Sequence, residues 1–117
     1  MKRESLYKYA NEYFGSKPEY LWSKFPSYAV LRHQNSNKWF AVVMNVPGSK
    51  LSLKMDEGVD IINLKVRPEY VGSLRLMKGV FPAYHMNKEH WISVMLDGYL
   101  SPKEIYELLT DSHELTS

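Results

Sequence analysis

The chain has 117 residues, no cysteine, and a formal charge of +2 from 15 Lys and Arg against 13 Asp and Glu. That length suits one domain spanning 1–117 with a core of its own, and the missing thiols exclude disulfides, a cysteine nucleophile and thiolate metal sites. Charge so close to balance is unlike a polybasic arm, so any affinity for nucleic acid has to come from a local patch.

With 44% of residues hydrophobic and 24% charged, the composition is globular rather than disordered. The basic start, Met1 to Ser5, has no apolar run behind it, so no secretory signal is expected. No stretch approaches the ~20 apolar residues that cross a bilayer. The expectation is a cytoplasmic protein with no cofactor and no membrane association, its oligomeric state left open with a monomer slightly favoured.

In chain order, Leu6, Tyr9, Ala10 and Tyr13 recur at helical spacing, and Gly15 stands where a left-handed cap belongs, so residues 3–14 form a predicted first helix. Residues 19–24 read as a short strand and 28–33 as the next. After turn formers at 34–37, residues 38–46 are apolar on both alternating faces. Such a strand suits the sheet interior, with a helix on one side and large side chains on the other. Residues 50–60 show no clear period, and 60–66 reads as another strand. Pro68 after Arg67 predicts the start of a short helix carrying Tyr70, Val71 and Leu74, ended by Gly79. Residues 80–96 read as a hairpin turning at Asn87, Lys88 and Glu89. Ser101, Pro102 and Glu104 form a capping box that opens a last helix, expected to end near Ser112.

The order α-β(4)-α-β(2)-α predicts an α+β domain of two layers, an antiparallel sheet with helices on one face. The loops are too short for parallel crossovers.

Catalytic patterns are weak. His85 and His90 have no third ligand at metal spacing, and no helix sets two histidines one turn apart. Ser93 and Asp97 lack a nucleophile elbow, the glycines form no phosphate cradle, and Asp56, Glu57 and Asp60 do not match a calcium loop. No enzyme is expected. Cations interleaved with rings are more informative: Lys65, Arg67, Arg75, Lys78 and Lys88 fall among Tyr70, Tyr84, His85 and Trp91. Donors to phosphate beside rings that stack are what nucleic-acid surfaces use. The plainer reading gives those cations to solubility and edge protection, and those rings to the core.

The run from Phe81 to Asp97, with Asn63 to Glu69 before it and Glu104 to Leu109 after it, resembles the signature of the MmcQ/YjbR family over essentially the whole chain. Only His113 departs, standing where an aromatic such as Tyr is common. The resemblance implies a CyaY-like domain, similar to the secretion chaperones, and a DNA-binding role attached to a double wing of strands. Its matching positions are Lys65, Tyr84, His85, Asn87, Lys88, His90 and Trp91. Asn87 alternatively holds the turn, His85 or His90 bonds main chain, and Trp91 anchors the sheet. The leading expectation is a non-enzymatic DNA-binding protein using Lys65, Arg67, Arg75, Lys88, His85, Asn87, Tyr84 and Trp91. The alternative is a chaperone-like domain that binds a peptide or partner on its sheet face.

Overall fold

Leu6 and Ala10, four residues apart and fully buried, turn one stripe of the first helix, α1 (Arg3–Phe14), into the core. Gly15 ends it at φ 62, where its N–H and that of Ser16 reach Asn11 O and Ala10 O. A residue with a Cβ takes that φ only at a cost. The computed structural model describes residues 1–117. After α1 come β1 (Ala29–Arg32), β2 (Trp39–Pro47), a 3-10 turn (Gly48–Leu51), β3 (Gly58–Lys65), α2 (Pro68–Leu74), β4 (Val80–Pro82), β5 (Trp91–Met95) and α3 (Pro102–Thr116). The strands form one antiparallel sheet in the order β1-β2-β3-β5-β4. No helix is long and apolar enough to cross a membrane.

The α+β fold and its two layers agree with expectation, but three strands precede α2, not four. Residues 19–24 make only one bridge, Glu19 to Val30. Beyond it Phe25 N bonds Trp22 O and Tyr28 N bonds Phe25 O, so the chain winds back across the sheet instead of extending its edge. The last helix also runs past Ser112, because that residue is a buried pin and not an end. Its hydroxyl accepts from Lys65 N at 2.9 Å and donates to Phe40 O at 2.6 Å. The capping box at Ser101 and Glu104 is present as read, with both bonds made.

Each face of the sheet has its own core. Leu6, Leu31, Phe40, Leu64, Ile92 and Leu109 belong to the helix side. On the other face Val30, Val42, Met44 and Ile61 are covered by Trp22, Tyr28, Trp39, Tyr84 and Met86 from loops and edges. Strand β2 is interior, as its two-sided apolar pattern predicts. A bulge decides which ring goes where: Ala41 faces Leu31 and Trp39 faces Arg32, so Phe40 is the extra residue. Phe40 and Ala41 both enter the helix-side core, and Trp39 is left on the opposite face.

Two histidines meet Phe40. His33 Nε2 lies 2.7 Å from Thr116 Oγ1, and the rings of His33 and His113 are 4.0 Å apart. Thr116 gives its proton to Ser112 O at 2.7 Å, which makes His33 the donor of its bond. Burial first and Lys38 second hold the His33 pKa below its ordinary value; burial first and His33 second do the same for His113. Well above a pH of about 6.5 both rings are neutral whether the chain is folded or not. Below it the unfolded chain binds protons first, so stability falls with pH and levels off once the folded pKa values are passed. Denaturant midpoints should therefore drop as the pH falls from above neutrality through about 6.5 and below it. His113→Phe keeps a ring stacked on Phe14, where His113 now lies 4.2 Å away, and should flatten the decline. A midpoint that ignores pH over that range would contradict the account.

Candidate functional site

The helix-free face is not flat. Trp22, Phe25 and Tyr28 come from the winding 15–28 segment, Trp39 from the bulge in β2, and Tyr84, His85 and Met86 from the 83–90 loop. Together they wall a cup of about 320 Å³ floored by Val42, Met44 and Asn63. Trp22 stands edge-on to Tyr28 (5.9 Å, 73°) and to Trp39 (5.7 Å, 79°), so the cup has perpendicular aromatic walls. Phe25 stacks on Tyr28 at 4.8 Å.

A polar ring under the cup fixes the 83–90 loop. Asn63 and Ser93, both fully buried, face each other across β3 and β5. Asn63 Nδ2 donates to Tyr84 O at 2.8 Å, Ser93 Oγ donates to Asn63 Oδ1, and Tyr84 N donates to Ser93 Oγ at 2.9 Å. The loop is thus stitched down two residues beyond β4, so the predicted tight hairpin is opened to the eight residues 83–90. Asn87 does hold the bend at its far end: its Oδ1 accepts from Glu89 N at 2.8 Å and its carbonyl from Trp91 N at 2.9 Å. His85 sits at φ 58, a left-handed conformation unusual for a residue with a Cβ, with its ring 3.9 Å from that of Tyr84.

Lys65 faces the same way as Asn63 and Ile61, two and four residues back along β3, and lies opposite Trp91. Val66 N bonds His90 O at 2.9 Å, so the chain leaving β3 runs beside the chain entering β5. Lys65, exposed Arg67 and exposed Lys88 therefore share one end of the sheet, with His90 and Trp91 between them. Arg75 does not join them. It lies past the other end of α2, beside Leu51, Leu53 and Phe81.

A larger hollow of about 840 Å³ near the N-terminus is a weaker candidate because its arginine and the carboxylate facing it are already paired. Arg3 Nη2 and Asn45 Nδ2 reach the same Asp60 oxygen at 3.0 and 2.9 Å. Burial alone would raise the Asp60 pKa, but those bonds outweigh it and hold the carboxyl below its usual range. No group of three His, Asp or Glu side chains is placed to hold a metal ion.

A family model described as YjbR matches residues 12–115. The chain belongs to the YjbR family. It is 43% identical to YyaQ of Bacillus subtilis (strain 168) over 116 residues, 99% of this chain and 98% of that one. With YjbR of Escherichia coli (strain K12) it shares 35% over 80 residues, 67% of this chain and 68% of that one. A crystal structure of a protein from Pseudomonas syringae superposes with a TM-score of 0.97 at 50% identity, covering all of both chains. A protein from Deinococcus radiodurans shares the fold with a TM-score of 0.74 at 24% identity, covering 97% of this chain and 77% of that one.

The resemblance read from residues 63–69 and 81–97 thus holds for this YjbR-family chain. Its one departure, His113, leaves the architecture intact because its ring stacks on Phe14 at 15° as another aromatic could. Reading the sequence for polar–aromatic clusters missed Trp22, Phe25, Tyr28 and Trp39. The available signal was the spacing of three between rings at 22, 25 and 28, across a segment interrupted by Pro26.

Proposed function

We propose that this YjbR-family chain is a non-enzymatic DNA-binding module that grips the phosphate backbone with Lys65, Arg67 and Lys88. The supporting observation is electrostatic. The ion pairs in the molecule are Arg3 with Asp60 and Arg32 with Glu19, so Lys65, Arg67 and Lys88 make no ion pair, although Arg67 opens on the α2–α3 hollow that Asp111 and Glu114 also line. Unpaired cations clustered on one end can each displace a counterion from DNA. Arg75, separated from them by α2, is assigned no part in that grip.

The test is a salt series with duplex DNA. Three phosphate contacts give a slope of log affinity against log salt of about −2.7, and each contact removed reduces it by about 0.9. The Arg67→Ala/Lys88→Ala double variant should therefore fall to a slope of about −0.9 while staying folded, since both side chains are exposed. A double variant that binds DNA with the parent's affinity and slope would overturn the reading.

A further inference from the structure

We infer that the cup on the helix-free face seats one unstacked nucleobase, which makes single-stranded nucleic acid the preferred form of the ligand. This rests on the DNA-binding reading and adds to it what the rings do.

Size comes first. At about 320 Å³ the cup is at the small end of ligand pockets, roughly 300–1,000 Å³, with room for a planar heterocycle and its sugar. An amphipathic helix needs a long groove, which a cup walled by Trp22, Trp39 and Tyr84 does not offer.

Charge decides between the two ligands that perpendicular rings accept. Such rings also make cages for quaternary ammonium groups. Here, however, no carboxylate lines the cup. Arg32 Cζ lies 5.9 Å from the Trp39 ring centroid, and the nearby Glu19 is taken up by that arginine at 3.1 Å. Lys65 stands on the same face, two residues along β3 from Asn63 in the cup floor. With Arg32 balanced by Glu19, Lys65 leaves this side of the face net positive, which repels a cation and attracts a planar group carrying phosphate. The Tyr28 phenol, its pKa raised by burial and then by Tyr84, stays protonated at neutral pH and can donate to a base edge.

Access decides between strands. The rings stand between the 15–28 and 83–90 segments, with Phe25 half exposed at the edge, and a base would have to leave a duplex stack to lie between them. A base already free of its stack enters without the cost of flipping. The left-handed His85 at the mouth fits this use, since backbone strain kept beside a ring-lined cavity marks a residue held for its side chain.

The experiment follows tryptophan emission while a short oligothymidylate, or a duplex of equal length, is added at fixed ionic strength. The single strand should quench emission and bind about ten-fold or more tightly than the duplex. Trp39→Ala should lose about ten-fold in single-strand affinity. Because Trp39 packs against the sheet, His85→Gly is the safeguard. Glycine adopts φ 58 without strain, so this variant should melt no lower than the parent yet bind the single strand several-fold more weakly. Equal affinity for both forms, with both variants binding as the parent does, overturns the base-seating inference and leaves the phosphate grip standing. No binding of either form at low salt removes the DNA reading and this inference together. Quenching by an aromatic peptide but by no strand overturns it in favour of a protein ligand.

Discussion

Phe40→Ala should cost about 3–5 kcal/mol, the largest loss expected from a single side chain in this fold. Phe40 is fully buried, and its ring meets Phe14 at 5.5 Å, His113 at 4.8 Å and His33 at 5.2 Å, each near edge-on. The space it leaves cannot close easily. The Phe40 carbonyl is tied to α3 through Ser112, whose hydroxyl also holds Lys65 N at the end of the neighbouring strand. Little relaxation means that the cavity cost adds to the lost transfer energy. Guanidinium melts should show the midpoint falling with an unchanged slope, and thermal melts a drop on the order of 15 °C. A loss below about 1 kcal/mol would mean that the bulge region repacks, contrary to the pinning argued here.

Asn63→Ala should cost about 2–4 kcal/mol for a different reason. The volume removed is small, but two groups lose their partners at once: the Ser93 hydroxyl proton and the Tyr84 carbonyl. Ser93 and Asn63 are fully buried, so water cannot readily replace those bonds. Because the residues act as a unit, Ser93→Ala should cost less in the Asn63→Ala background than in the parent. Amide exchange should accelerate across 83–90 first, since the ring of bonds holds Tyr84 N and O. Additive costs for the two substitutions, or unchanged exchange in that loop, would rule out this role for the ring.

Local chemistry was enough to place most elements. Gly15 ends α1, Ser101 and Glu104 start α3, Pro68 starts α2, and the two-sided apolar run at 38–46 gives an interior strand. Each is a statement about neighbours three or four residues apart, or about alternation along one strand. The signature around residues 81–97 likewise places the chain in its family.

What a one-dimensional reading could not supply was the meeting of distant segments. The bulge at Phe40 is settled by packing against α1 and α3, and it is that bulge which releases Trp39 to the opposite face. Residues 19–24 have strand composition, yet the chain turns so that Trp22 lies over Val42 and Met44 while Tyr20 stays exposed. Arg75 stands near Lys65 in sequence and is set apart from it by α2. Short-range periodicity therefore fixed the elements, while the cup and the grouping of cations depended on register and burial between residues far apart in the chain, terms to which no local pattern is sensitive.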